Sequence, residues 1–354
     1  MTLASVIPKV HLHCHLEGSL RAATFVELAG RHGVPLRYDP AGPALRGGEP
    51  DPADPYRFAD FREFLWTFAA VSRALADPDD YGRLAREFVQ DALAQNVAYG
   101  ELFVSPSVWT FFHPELDVRA AFANIAGELR SAASKAEFRL IVDLTRNFGS
   151  DRATEVARLA TRLDDCGIVG VGLGGDEARF PPEAYAEAFA LARASGLRCV
   201  AHAGEAAGPQ SVQAAVETLG AERIGHGISA LRDPEVVAML ADRRIPLEIC
   251  PTSNERTGVA LDGLHALAEF ERAGCIVTID ADDPALFGTS IEAEYARVEG
   301  IAGGDALARY VGNAIDASFA RPSHKRELHA RLAAELRGVR RSTKKPEQRA
   351  DVGP

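Results

Sequence analysis

Pro8-Lys9-Val10-His11-Leu12-His13-Cys14-His15-Leu16-Glu17-Gly18 decides how the rest of this sequence is read. Three histidines stand at alternate positions, and alternate side chains of a β-strand share a face. A strand ending here lets His13 and His15 converge on one point. Two neutral imidazoles that converge are a seat for zinc. The plain alternative is a pair of solvated histidines on an edge strand, so the decision rests on what lies downstream. Cys14, between the pair, is expected to point the other way, into packing.

Working outward, short apolar runs alternate with longer Ala-, Leu- and Glu-rich segments of helical spacing. Candidate strands are Val10–His13, Val97–Val104, Phe138–Leu144, Val169–Leu173, Arg198–His202, Arg223–Gly225, Pro246–Ile249 and Ile276–Asp280. Candidate helices between them include Ala153–Leu163, Pro182–Ala194, Ser211–Leu219, Pro234–Ala241 and Ala266–Ala273. Eight strands alternating with helices imply an α/β fold, a closed (β/α)8 TIM barrel. Such a barrel accounts for residues 1–338 of the 354 as one domain. Residues 339–354, basic and poor in apolar side chains, are expected to form a disordered tail.

After the first strand, Asp39–Pro55 is dense in Pro, Gly and Asp and reads as a loop. Phe58, Phe61, Phe64, Leu65 and Phe68 then recur on one helical face. They form either a core-facing helix or an inserted helical lid over a pocket. Both descriptions hold if the helix packs at the barrel mouth.

Acidic residues exceed basic ones by 11. That balance disfavours nucleic acid and anionic membrane as partners, since both attract basic surfaces. A nearly neutral nucleobase or nucleoside stays allowed. The five cysteines are widely spaced, odd in number and without a C-x-x-C pair, which points to a reducing compartment. No apolar run approaches membrane-spanning length and no signal segment is evident, so a cytoplasmic location is expected.

In a barrel of this kind the C-terminal strand ends form the active face. Strand one ends at His13 and His15, strand five in His202-Ala203-Gly204-Glu205, strand six in Gly225-His226-Gly227, and strand eight in Asp280-Ala281-Asp282-Asp283. Each residue alone could be a cap or a satisfied core group, but all four ends carry one. His13, His15, His202 and one strand-eight aspartate supply the N/O ligands of a mononuclear zinc site, one Zn2+ per chain. Zinc lowers the pKa of its water to about 7. Glu205, three residues past His202, can move protons without being a ligand, and His226 can stabilise developing charge. Strand four ends in Gly172-Leu173-Gly174-Gly175-Asp176-Glu177 without a lysine, which favours one metal and lets a flat ligand approach the backbone.

The ordered set P-K-V-x-L-H-x-H-L-E-G, L-G-G-D-E, H-A-G-E, R-I-G-H-G, C-P-T-S-N and D-D-P resembles the adenosine deaminase family, from residue 8 to about 330. The resemblance implies His13, His15, His202 and Asp282 as metal ligands. Asp282 would also orient the attacking water. It further implies Glu205 as proton donor to purine N1, His226 polarising the nucleophile that attacks C6, Asp283 on N7 and the backbone of Gly175 on N3. Phe61, Phe64, Leu65 and Phe68 would be the apolar gate. Where typical family members carry the aspartate that meets the ribose 5′-hydroxyl, this chain has Glu17. Adenosine or 2′-deoxyadenosine is the first expectation from the resemblance, giving the inosine or 2′-deoxyinosine product and ammonia. Adenine and 6-aminodeoxyfutalosine, of menaquinone synthesis, are the alternatives. Against adenine stands Gly225, where adenine-specific relatives usually carry aspartate. A purine-binding protein that has lost catalysis is the alternative of another class, and it sits poorly with a full complement of acid–base positions.

Overall fold

The computed structural model describes residues 2–38, 51–259 and 263–343. Eight parallel strands lie in sequence order: β1 (Lys9–His15), β2 (Val97–Val104), β3 (Glu137–Asp143), β4 (Ile168–Gly172), β5 (Arg198–Ala203), β6 (Arg223–His226), β7 (Leu247–Ile249) and β8 (Val277–Ile279). This is the (β/α)8 barrel that the strand–helix alternation implied. Every residue of β1 and of β2 is buried, as expected of strands covered on both faces. The ring closes between β8 and β1 through a bridge of Cys14 with Asp282. There the amide of His15 donates to the Asp282 carbonyl (2.9 Å) and the amide of Asp282 to the His13 carbonyl (3.0 Å).

The even alternation read from the histidines is broken by a bulge. On β1 the register advances from His11 to Cys14 while on β2 it advances only from Gly100 to Leu102. The Asp280 carboxylate fills the gap, accepting from the amides of Leu12 (2.6 Å) and His13 (3.0 Å). His11 accordingly parts company with the other two histidines and accepts from the amide of Ala281 (3.2 Å). Bulges re-aim side chains in this way beside active sites. Cys14 is fully buried in the main apolar core, as expected, and all five cysteines are free thiols.

The barrel interior is unusually polar. Phe103, Ile141 and Val200 form only a small apolar layer. Beside it runs a fully buried ionic chain: His13 Nδ1–H to Glu248 (2.8 Å), Arg223 to Glu248 (2.5 Å), Arg223 to Glu101 (2.6 Å) and Tyr99 OH to Glu101 (2.8 Å). Charges buried this deeply persist only when their hydrogen bonds are met, and here each carboxylate meets both a cation and a further donor.

Of the loop expected at Asp39–Pro55, residues 39–50 lie outside the described residues, and the remainder is a short turn. The helix Phe61–Ala74 begins at Asp60, whose side chain accepts from the amide of Glu63 (3.0 Å). Phe64 faces inward and stacks on Phe287 with ring centroids 4.7 Å apart. The last helix, Pro322–Thr343, runs several residues into the stretch expected as a disordered tail. Arg340 and Arg341 fall in its last turn, where positive charge suits the helix dipole. Residues 344–354 lie outside the described residues. Among the described residues no helix is long and apolar enough to cross a membrane.

Candidate active site

At the C-terminal strand ends lies a cavity of about 700 Å³. His15, His202, Glu205, His226, Asp282 and Asp283 open onto it, and Phe61, Phe64, Leu65 and Phe68 form one wall. The helix expected as a lid is therefore a wall of the mouth. His13 lies beneath, with its ring centroid 4.4 Å from that of His202 and 5.1 Å from that of His226.

Nitrogen and oxygen donors converge at the floor. The Nε2 atoms of His15 and His202 stand 3.0 Å apart. Nε2 of His13 and of His15 are each 3.4 Å from Asp282 Oδ1. Donor atoms of His13, His202, His226 and Asp282 all lie within 4.8 Å of one another, and those of His15, Asp282 and Asp283 form a second such group. Nε2 of His13 is buried without a hydrogen-bond partner. Its Nδ1–H is spent on Glu248, so the lone pair of Nε2 points at the cluster, the outer-shell arrangement typical of metal-bound histidine. Mixed imidazole and carboxylate donors at this spacing fit a divalent metal such as zinc.

Backbone geometry aims the donors. His226 and Asp282 both adopt φ of 62°, the left-handed region that non-glycine residues seldom enter. The Nδ1–H of His226 donates to Asn254 Oδ1 (2.8 Å), leaving Nε2 with its lone pair 3.8 Å from Glu205 and 3.8 Å from Asp282. Ser253 donates to the second oxygen of Asp282 (2.6 Å). Ser253 and Asn254 belong to the C-P-T-S-N stretch, whose roles the sequence alone left unread. Gly225 is forced by packing: a Cβ there would lie 2.6 Å from Cε1 of His13. Gly18 likewise makes room for Asp283, whose Oδ1 a Cβ would overlap at 1.9 Å.

Glu205 sits on a loop held by another carboxylate. Glu177 accepts from the amides of Gly204 (2.6 Å), Glu205 (3.0 Å), Ala206 (2.8 Å) and Ala207 (3.0 Å), and from Ser211 (2.5 Å). Burial pushes the Glu205 carboxyl up to about 7; His226 pulls it down, and the charges of Asp282 and Glu177 push it further up. Burial also raises Asp283, and the neighbouring charge of Asp282 raises it further. Asp282 is held well below the usual carboxylate range, its burial outweighed by the neighbouring histidines His13, His226 and His15. Three carboxyls side by side thus differ in their readiness to hold a proton, as acid–base chemistry needs.

Glu17 is placed differently from its expected role. It does not line the cavity. It is fully buried, and its Oε1 accepts from the amide of Ser105 (2.8 Å) and Nε1–H of Trp109 (2.7 Å). Gly175, with φ of 96°, does line the cavity, and a Cβ there would meet Asn147 Oδ1 at 2.3 Å. Glu177, Glu248, Ser253 and Asn254 were missed as site residues. Glu248 was signalled by its place on β7, where an ionisable group in an apolar strand demands a partner.

A parallel barrel that gathers histidines and aspartates at its strand ends, beside a glutamate whose carboxyl is raised by burial, is the arrangement of a metal-dependent hydrolase. The chain belongs to the adenosine deaminase family, whose sequence profile it matches over residues 8–335. It is 39% identical over 339 residues to an aminodeoxyfutalosine deaminase of Streptomyces avermitilis, covering 93% of this chain and 90% of the relative. It is 34% identical over 342 residues to an adenine deaminase of Paraburkholderia phytofirmans, covering 93% of each. A crystal structure of an amidohydrolase from Burkholderia ambifaria with bound Zn superposes with a TM-score of 0.84 at 27% identity, covering 96% of this chain and 93% of that one. The chemistry is hydrolytic deamination of adenine-type substrates.

Proposed function

We propose that this protein is a zinc-dependent deaminase of an extended adenine nucleoside, with 6-aminodeoxyfutalosine as the favoured substrate. The observation that carries the reading is the cavity. About 700 Å³ suits a drug-sized ligand and far exceeds what a lone purine fills. Its mouth carries Tyr38, Trp66, Phe111 and Phe148 beyond the apolar wall, surface suited to a group attached to the sugar. Adenosine, the first expectation from sequence, would leave that mouth empty. The similarity to an aminodeoxyfutalosine deaminase supports the same choice.

His13, His15, His202 and Asp282 would hold the metal. When bound, it supplies the positive charge that makes a water nucleophilic at neutral pH. The protein's own groups do the rest. His226 accepts a hydrogen bond from the attacking water through Nε2 and aims it at C6. Glu205 gives a proton to N1, which makes C6 electrophilic and lets ammonia leave after addition. Asp283, held protonated, donates to N7, and the backbone of Gly175 meets N3. Phe61, Phe64, Leu65 and Phe68 screen the ring from water. Water and the 6-aminopurine become the 6-oxopurine and ammonia. Five free thiols fit a reducing, cytoplasmic setting.

The test is a panel of 6-aminodeoxyfutalosine, adenosine, 2′-deoxyadenosine and adenine with zinc-loaded protein, following ammonia and the 6-oxopurine. The highest kcat/KM is expected for 6-aminodeoxyfutalosine. Preference for adenine would refute the nucleoside reading.

A further inference from the structure

We propose that Asp143 binds a ring hydroxyl of the substrate's sugar, which makes this site a reader of nucleosides rather than of the free base. The inference rests on the purine orientation given above.

Asp143 is the last residue of β3, is 2% exposed and lines the cavity. One carboxylate oxygen is spent locally: Oδ2 accepts from the amide (3.2 Å) and hydroxyl (2.8 Å) of Thr145. Oδ1 has no hydrogen-bond partner among the described residues. A buried carboxylate oxygen without a donor is costly and calls for an explanation. A ligand that brings the donor supplies one. Gly174 packs beside this oxygen, where a Cβ would lie 3.1 Å away, so the neighbouring backbone comes close without covering it with a side chain.

Strand order says which part of the ligand arrives there. Glu205 follows β5 and takes N1. Gly175 follows β4 and takes N3. Asp283 follows β8 and takes N7. The perimeter of a purine runs N1, N3, N9, N7. Around the barrel the same sweep runs β5, β4, then β3, β2 and β1, then β8. N9, the atom that carries the sugar, therefore faces the arc from β3 to β1. Of the cavity-lining residues described on that arc, Asp143 alone is a carboxylate. Glu17, the acidic residue that the sequence assigned to the sugar, lies on this arc but does not line the cavity: its Oε1 accepts from Ser105 and Trp109, and its unpaired Oε2 is buried outside the cavity lining. The acceptor for the sugar has moved from the β1 loop to the end of β3. A hydroxyl offers one donor, which matches the one free oxygen.

Parent, Asp143→Ala and Asp143→Asn proteins, zinc-loaded, would be assayed with adenosine, 2′-deoxyadenosine and 3′-deoxyadenosine. Calorimetry with inosine, 2′-deoxyinosine and 3′-deoxyinosine gives binding independently of turnover. In the parent, loss of one ring hydroxyl should cost about 10–100-fold in kcat/KM and in product affinity, the usual worth of a hydrogen bond to a charged group. In Asp143→Ala the same loss should cost less than about 3-fold. Asp143→Asn, which keeps an acceptor for Thr145, should fall between, and it carries the test if the alanine variant does not fold. Equal hydroxyl dependence in parent and variants overturns the proposal, as does a parent indifferent to both hydroxyls. Asp143-dependent discrimination in binding without turnover of any nucleoside would refute the substrate reading and uphold this one. Turnover of adenine with no hydroxyl discrimination in binding would refute both.

Discussion

His226 and Asp282 hold a backbone conformation that costs of order 1 kcal/mol or more for a residue with a Cβ. His226 closes β6, Asp282 lies three residues past β8, and each bends its side chain back over the barrel floor. Such strain survives where the surroundings over-determine it, and Asn254 and Ser253 supply those surroundings. Replacing Glu205 with Gln should leave metal content and melting temperature close to the parent and lower kcat by about 10²–10⁴-fold, because an amide has no proton to give N1. Turnover within a few-fold of the parent would refute the acid role. The carboxyl titrates near 7 and donates only when protonated, so kcat/KM should fall as pH rises beyond about 7. A profile that climbs through that range would contradict it. Gly225→Ala should weaken zinc binding, measured by competition with a chromophoric chelator, since the new Cβ displaces the His13 ring. The clustering of these candidate residues was legible in the sequence because their residue types stand at strand ends. Asp143 was not, because it closes an ordinary apolar run, and it is the fold that brings its unpaired oxygen to the cavity.

Among the elements, the loop after β5 shows how a flexible segment is made a precise one. Four consecutive amides converge on Glu177 from across the β4–β5 gap. Hydrogen bonds to a charged acceptor are worth about 1.5–3 kcal/mol each. Glu177→Gln, which trades one accepting oxygen for a donor, should lower stability by about 3 kcal/mol and reduce kcat while zinc content is kept. A melt and kinetics matching the parent would show that the loop holds itself. The sequence displayed the L-G-G-D-E stretch but not this contact, because a carboxylate's partners across a gap between loops leave no trace in spacing. The bulge in β1 was hidden for the same reason. Alternation grouped His11 with His13 and His15, whereas register is decided by pairing with β2 and by Asp280. The last helix outran its expected end because composition marks solvation, and a solvated basic segment can still be helical.

For the whole molecule, the fold was the easiest feature to read, since strand–helix alternation repeated eight times has few other solutions. What the pattern did not convey is how the interior is filled. Branched apolar layers give way to the buried chain from His13 through Glu248 and Arg223 to Glu101. That chain ties the site floor to the far end of the barrel, where Phe319 caps Arg223 with its ring centroid 3.9 Å from the guanidinium carbon. Breaking one partner of a buried ionic chain costs about 3–5 kcal/mol, so Arg223→Met should be strongly destabilising in thermal and urea unfolding. Unchanged unfolding would show the network to be dispensable.

The closing seam of the barrel has a consequence of its own. Its two backbone hydrogen bonds are made by His13, His15 and Asp282, residues that are also proposed to hold the metal. A bound ion would therefore act as a buckle: while it is fastened, β8 would be held against unzipping from β1. Stripping it with a chelator should speed hydrogen–deuterium exchange at the amides of His15 and Asp282 well before it does so at the β2–β3 pairing. Restoring zinc to a hundredfold excess over its dissociation constant should return about 2.7 kcal/mol of stability. The same overlap restricts variation: a ligand could not migrate to another strand without leaving the hoop open.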